Sequence, residues 1–452
     1  MKAAELASRR VAILGAGREG QAAWRYLRSL HPEKPLTLVD ENRPDPEFTA
    51  RLTEFDRLLI GPLAEAGLEE FDVLVRSPGI SPYRQSLRRA RESGVEITSP
   101  SNLWFASHAD QNTICITGTK GKSTTSALLA HMLDRCGLSV RLAGNIGRPL
   151  LDCDDQDVDW WVIELSSYQL ADLQARPSVS LILNLSSEHL DWHGSDRAYR
   201  RDKLRLAELG ADGVLIANAA DSTLRASLAS NEAIVWFNAD SGMREKDGSL
   251  FDRDQLLLSG LPGNLPGRHN LSNAAAALTA VRAVGAEIPM ALAAIPSFHA
   301  LPHRMQTLGK RDGVRYINDS ISSAPVATAA ALEALEEEKV VLIIGGLDRG
   351  VDWTPYLSAF GADSVLAVIG IPDSGPDLLA QMKEVGVDPE LGLHVARDLA
   401  DAVSVAQGLA ARGWVVLLSP GAPSFPHFKD YRDRGSRFAA YCGLELEAEE
   451  SI

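Results

Sequence analysis

Cysteine is scarce in this chain. Its four cysteines, Cys115, Cys136, Cys153 and Cys442, are scattered, and no two form a CxxC pair. That spacing supports neither a disulfide framework nor a zinc site, and a reducing compartment is expected. Long apolar runs are missing as well. No stretch approaches the ~20 residues that a membrane span needs. The residues before the first strand carry no apolar run of signal-peptide length, so the expectation is a cytoplasmic protein with no membrane insertion. Basic charge is also short: 45 Lys and Arg face 60 Asp and Glu, a formal net charge of −15. Proteins that bind a nucleic-acid backbone generally carry a basic surplus, so no nucleic-acid partner is expected. A small anionic ligand in a local basic pocket stays open. No internal repeat, low-complexity segment or heptad run stands out, and a monomer is the default expectation.

What is present is ordinary globular composition, with 45% hydrophobic and 23% charged residues. The 452 residues suggest about three domains. Short β-branched runs alternate with helical patterns, which predicts an α/β fold with parallel sheets. Strands are expected at Arg10–Gly15, Leu36–Asp40, Phe71–Arg76 and near Ile97. A second set is expected at Thr113–Thr117, Trp160–Glu164, Ser180–Asn184 and Gly213–Asn218. Periodicity weakens over Asn238–Leu261, and an Ala-rich helix is expected over Gly267–Val284. A third set falls at Val314–Asn318, Val340–Gly345, Val365–Gly370 and Trp414–Leu418. Polar Ser107–Gln111 and Pro302–Arg304 are the candidate boundaries, giving domains 1–108, 109–303 and 304–452. In open parallel sheets, ligands sit at the carboxyl ends of strands, so the polar residues closing these strands are the candidates.

The most informative stretch runs Ile116-Thr117-Gly118-Thr119-Lys120-Gly121-Lys122-Ser123-Thr124. It follows an apolar strand and precedes a helix. Glycines let backbone N–H groups curl around a polyphosphate, and a helix N-terminus adds positive potential. Lys122 can reach the β and γ phosphates, and the Ser123 hydroxyl can ligate Mg²⁺. The general P-loop pattern asks for Gly where Ile116 stands, so a ligand-free strand–helix turn is the competing reading. A second glycine turn, Gly15-Ala16-Gly17-Arg18-Glu19-Gly20, also follows a strand, and Asp40 closes the next strand. Read alone, this is a dinucleotide fingerprint and suggests an NAD-dependent oxidoreductase. A redox enzyme would leave the second phosphate loop unexplained.

The compact loop TGTKGKST resembles the ATP loop of the Mur ligase family, which also includes folylpolyglutamate synthase. Other segments match that family in order: Gly144-Asn145-Ile146-Gly147, Glu164 through Leu170, Asn184 through Asp191, and Lys203. Gly267-Arg268-His269-Asn270 with Asn273, Pro302-His303-Arg304, Asn318-Asp319-Ser320 and Ser419-Pro420 with Ser424-Phe425 complete the series. The resemblance spans essentially the whole chain. It implies three α/β domains: an N-terminal Rossmann-like domain for a UDP-sugar, a central P-loop ATPase-like parallel sheet, and a C-terminal Rossmann-like domain for an amino acid. It implies a ligase of cell-wall peptidoglycan synthesis that uses ATP and Mg²⁺ to activate a carboxylate as an acyl phosphate.

By that resemblance, Lys122, His189 and Lys203 are the catalytic residues. Gly118, Thr119, Lys120, Gly121, Lys122, Ser123 and Thr124 would cradle the phosphates. Asn270 and Asn273 would contact adenine, Arg304 a phosphate and Asp319 the ribose. Ser123, Glu164, His189 and a carbamylated Lys203 would hold metal. Taken singly, Glu164 reads equally well as a structural hydrogen-bond partner, His189 as a structural histidine, and Lys203 as part of a solvated helix face. Gly17, Arg18, Asp40, Ser77, Pro78, Gly79 and Asn145 would hold the UDP-sugar.

The short first domain most resembles the ligases that add glutamate to UDP-N-acetylmuramoyl-L-alanine. D-glutamate adders typically read NDSKATN. Here the stretch is Asn318-Asp319-Ser320-Ile321-Ser322-Ser323-Ala324, so Ile321 stands in place of Lys. Arg349 stands where Lys is common, bringing a planar fork suited to a carboxylate. Ser323, Arg349, Ser424, Phe425 and Tyr431 are the candidates for binding the amino acid. The departures cluster there, which resembles the variant ligases that add L-glutamate. The D-glutamate ligase is the near alternative. A UDP-sugar binding protein without catalysis is, like the oxidoreductase, the rival from another class.

Overall fold

Buried apolar runs set the sheets of this protein. The computed structural model describes residues 1–153, 158–186, 188, 190–261, 265, 267–298, 302–348, 350–361 and 363–446. His189 and Arg349 lie outside the described residues. The chain divides into two compact units, Met1–Ser259 with Leu271–Ile295, and Gly260–Asn270 with Pro296–Ser451.

The first unit opens with β1 (Val11–Leu14), β2 (Leu36–Asp40), β3 (Asp56–Ile60), β4 (Val73–Arg76) and β5 (Glu96–Thr98). They form a parallel sheet in the order β3-β2-β1-β4-β5. The inner strands β1 and β4 are buried at every position. Strands covered on both faces are near-continuously apolar, which is why these two were legible. Edge strand β3, Asp-Arg-Leu-Leu-Ile, is half exposed and lacks such a run.

The second sheet comprises β6 (Thr113–Thr117), β7 (Val140–Gly144), β8 (Trp160–Glu164), β9 (Val179–Ile182), β10 (Val214–Asn218) and β11 (Val235–Phe237). All pairings are parallel, in the order β11-β10-β9-β6-β8-β7. Strand β6 is therefore central, and its carboxyl end opens into the lysine-bearing glycine loop. The stretch of weak periodicity folds as an antiparallel sheet of β12 (Met243–Lys246), β13 (Ser249–Asp252) and β14 (Gln255–Leu258). Its first turn is Asp247-Gly248, with φ of 50° and 74°. Two consecutive positive φ values are what a two-residue hairpin needs to match strand twist.

The second unit holds β15 (Gln306–Arg311), β16 (Val314–Asn318), β17 (Val340–Ile344), β18 (Val365–Gly370), β19 (Leu393–Val395) and β20 (Val415–Leu418). The order is β15-β16-β20-β17-β18-β19, with only β15 antiparallel. Strands β16, β20 and β17 are neighbours, so the loops after Asn318, Leu418 and Ile344 share one edge of the sheet. The Ala-rich helix spans Arg268–Ala283, as expected within a residue or two at each end. Among the described residues no helix is long and apolar enough to cross a membrane.

Candidate active site

The loop after β6 is held in shape by close packing. Gly121 has φ +82° and caps the helix Lys122–Arg135. A Cβ there would come within 2.5 Å of the Asn273 Oδ1 atom. A Cβ on Gly118 would meet the Leu183 Cβ at 2.8 Å. Asn184, after β9, pins the loop: its Oδ1 accepts from the Lys120 N–H at 2.8 Å and its Nδ2 donates to the Lys120 carbonyl at 3.0 Å. The Thr119 hydroxyl donates to the Ser186 carbonyl at 3.0 Å and shares a 2.8 Å bond with the Tyr199 hydroxyl. Lys122 begins the helix, followed by Ser123 and Thr124, with Thr124 buried.

Two lysines converge on one carbonyl of this loop. Lys122 Nζ donates to the Gly118 and Thr119 carbonyls at 2.9 and 3.0 Å. Lys203 Nζ, from the helix Asp196–Leu209, donates to the same Gly118 carbonyl at 2.7 Å. Lys203 is only 2% exposed. Burial first, then the like charge of Lys122, pushes its amine well below the ordinary lysine range, against the pull of Glu188 and Glu164. Lys120 pairs with Glu188 at 2.5 Å.

Glu164 closes β8, next to β6, and is 1% exposed. One oxygen accepts from Asn145 Nδ2 at 2.6 Å. The other is buried and has no hydrogen-bond partner. A buried unpaired carboxylate oxygen is costly, and a hard cation is a fitting partner for it. Among the described residues, no three His, Cys, Asp or Glu side chains group as metal ligands.

Asn145 also ties this centre to the first glycine turn, since Arg18 donates to the Asn145 carbonyl at 3.0 Å and the Gly147 carbonyl at 3.2 Å. In that turn Gly15 has φ +84°, and a Cβ on Gly20 would fall 1.8 Å from the Gly15 carbonyl oxygen. Asp40 shapes the turn itself, accepting from the Ala16 N–H at 2.6 Å. Ser77 donates to the Gly15 carbonyl at 3.0 Å. Gly17 and Gly79 stay open, with Pro78 half-buried between Ser77 and Gly79. Burial lifts the Glu19 carboxyl to about 7.

Sequence reasoning missed several residues that organise this region. Arg76 is fully buried, pairs with Asp172 at 2.8 Å and donates to the Ile80 and Tyr168 carbonyls. His193 and Asp202 bond at 2.8 Å. An arginine closing an apolar strand run was the one available signal.

In the second unit, Asp319 follows β16 and is 3% exposed. It accepts from the hydroxyls of Ser322 and Ser419 at 2.5 and 2.7 Å and from the Met305 N–H at 3.1 Å. Burial raises its carboxyl, and these bonds oppose the rise. Arg434 is fully buried and donates to the Ala422 carbonyl and to both oxygens of Ser320, binding the β16 and β20 loops together. Burial lowers its guanidinium to about 9. Ser424 is buried in the β20 loop, Phe425 is 52% exposed, and Ser323 is exposed. Tyr431 starts the last helix, its ring edge-on to His303 at 5.8 Å. Arg304 is half-buried beside His303. Asn270 and Asn273 are both buried on the Ala-rich helix.

Three family models match the chain. The Mur ligase MurD-like N-terminal domain covers 9–99, the Mur ligase middle domain 116–281, and the Mur ligase glutamate ligase domain 303–421. The UDP-N-acetylmuramoyl-L-alanine–L-glutamate ligase of Xanthomonas campestris pv. campestris is 40% identical over 463 residues, spanning 100% of this chain and 99% of that protein. The protein of the same name from a Micromonospora species is 38% identical, spanning 97% of each. Among solved structures, the UDP-N-acetylmuramate-alanine ligase MurC of Thermotoga maritima superposes with TM-score 0.61 at 19% identity, covering 96% of this chain and 98% of that one. MurF ligase of Thermotoga maritima, in complex with ADP, gives TM-score 0.60 at 15% identity and covers 98% of each chain. These likenesses carry the three-domain α/β fold.

Proposed function

The chain belongs to the Mur ligase family, and from that premise we propose that it adds L-glutamate to UDP-N-acetylmuramoyl-L-alanine in peptidoglycan precursor synthesis. ATP is cleaved to ADP and phosphate in the process. The observation that carries this reading is the pair of lysines, Lys122 and Lys203, on the single Gly118 carbonyl. Lys122 so placed suits a polyanion, and Lys203 is the buried amine beside it on the same carbonyl.

The γ-phosphoryl of ATP passes to the alanyl carboxylate, giving an acyl phosphate and ADP. The glutamate amine then attacks the acyl carbon, phosphate leaves, and the amide forms with loss of a proton. Little covalent work falls to the protein, which positions the groups and offsets their charge. Gly118 through Thr124 present N–H groups and Lys122 to the phosphates. Mg²⁺, when bound, neutralises charge on the transferring phosphoryl group. Ser123, Glu164 and His189 would hold it, and the unbonded Glu164 oxygen fits that role. Lys203 joins them if it carries a carbamate. Such a group forms from CO₂ and a neutral amine, the form that burial favours here.

Gly17, Arg18, Asp40, Ser77, Pro78, Gly79 and Asn145 hold the nucleotide-sugar. Asn270 and Asn273 face adenine, while Arg304 and Asp319 serve phosphate and ribose. Ser323, Arg349, Ser424, Phe425 and Tyr431 take the glutamate. Ile321 in place of a lysine, and relatives whose name specifies L-glutamate, support the L-enantiomer. The domain division 1–108, 109–303 and 304–452, a monomeric state and a cytoplasmic location complete the proposal. The test is release of ADP and phosphate from ATP, Mg²⁺, nucleotide-sugar and glutamate together. Turnover must need all four components; turnover without the nucleotide-sugar would refute the reading.

A further inference from the structure

The helix Asp196–Leu209 is held on two faces. On one, Tyr199 and Lys203 stand a turn apart. The Tyr199 hydroxyl bonds Thr119 and the Lys203 amine bonds Gly118, with Nζ 5.4 Å from the Tyr199 ring centre. On the other face stands Asp202, turned about 100° around the axis from its neighbour Lys203. Its carboxylate is 3% exposed and takes three partners. The Tyr83 hydroxyl donates at 2.6 Å, His193 Nδ1 lies at 2.8 Å, and Arg201 donates at 3.0 Å. His193 Nε2 lies 3.0 Å from the Ser167 hydroxyl, just past Glu164 in the chain. Trp192, beside His193, donates to the Gly79 carbonyl at 3.1 Å and accepts from Ser81 at 2.8 Å. Its ring stacks on Tyr168 at 4.3 Å.

We propose that Asp202 is a positioning residue. Held by Tyr83 and His193, it sets the rotation of its helix and thereby the placement of the Lys203 amine on the glycine loop. This rests on the ligase reading above. The physical ground is that a buried carboxylate taking several strong hydrogen bonds moves only if those bonds break together. A swivel of the helix would displace Lys203 together with the Tyr199 hydroxyl, loosening two ties on Gly118 and Thr119. Displacing a reacting group by about 1 Å costs on the order of 100-fold in rate. Asp202 bonds Tyr83, His193 and Arg201, and its effect passes through Lys203.

The competing role is simple adhesion between Tyr83 and the helix, and kinetics separate the two. Asp202→Asn and Tyr83→Phe are made in the full chain. Phosphate release is measured at saturating substrates, with KM for ATP and for the nucleotide-sugar. The positioning role predicts a kcat about 20-fold lower for Asp202→Asn and about 5-fold lower for Tyr83→Phe, with both KM values within about threefold. A kcat within twofold of wild type, or a loss carried only by KM for the nucleotide-sugar, overturns it. If Asp202→Asn does not fold, Tyr83→Phe decides, since it removes one hydroxyl and no packing volume. A wild-type protein without turnover overturns the ligase reading and this one with it. An active wild type matched by Tyr83→Phe overturns this one alone.

Discussion

Two glycine turns in this chain follow a buried central strand and lead into a helix, yet their surroundings differ in sign. The turn after β6 is flanked by lysines: Lys122 and the buried Lys203 amine share the Gly118 carbonyl, with Lys120 close by in the chain. The turn after β1 has one exposed cation, Arg18, and two acids, Glu19 and Asp40. Similar backbones can both present N–H groups to phosphate. In the proposed reading, only the first concentrates the charge that a transferring phosphoryl group demands. In that reading a glycine turn marks where a phosphate can be held, and its flanking side chains distinguish the turn that does chemistry.

The largest test of that contrast is Lys122→Ala. It is expected to lower kcat about a thousandfold, the scale of losing a phosphate-clamping cation, while calorimetric affinity for the nucleotide-sugar stays within about twofold. Equal loss of both would erase the distinction between the turns. Next are two glycine substitutions that should act on opposite ligands. Gly20→Ala puts a methyl 1.8 Å from the Gly15 carbonyl oxygen, an overlap worth about 3 kcal/mol. Nucleotide-sugar binding should vanish and ATP binding persist. Gly121→Ala meets the buried Asn273 side chain at 2.5 Å on a positive φ, costing about 1–2 kcal/mol. It should weaken ATP binding and spare the nucleotide-sugar.

The smallest effect concerns Glu19. Its carboxyl has an ordinary value of 4.5 and is raised to about 7, chiefly by burial. Between those values the folded chain keeps a proton that the unfolded chain has lost. Stability therefore falls as pH rises from 4.5 to 7, and the penalty is complete above that window. Glu19→Gln should leave the melting temperature unchanged at pH 4 and raise it by about 1–3 °C at pH 8. A gain at pH 4 of the same size would mean that ionisation is not its cause.

The parts of this molecule legible in sequence were those with local causes. Buried strands such as β1, β6 and β17 are continuous apolar runs, and the lysine-bearing loop is contiguous. Two hairpins carried an equally local sign that the periodicity reading passed over, Asp247-Gly248 and Asp312-Gly313, each with positive φ at both residues. Edge strands β3 and β19 lacked a pattern because half their surface meets solvent. The bonds of Tyr83 to Asp202 and of Arg434 to Ser320 join residues 119 and 114 positions apart in the chain. Each looks like an ordinary polar residue until the fold brings its partners together.

The most direct measurement is phosphate release from ATP, Mg²⁺ and UDP-N-acetylmuramoyl-L-alanine, run in parallel with L-glutamate and with D-glutamate. Turnover with L-glutamate alone is the predicted result, consistent with the loss of a lysine at Ile321. Turnover with D-glutamate alone, or with neither, would contradict the account.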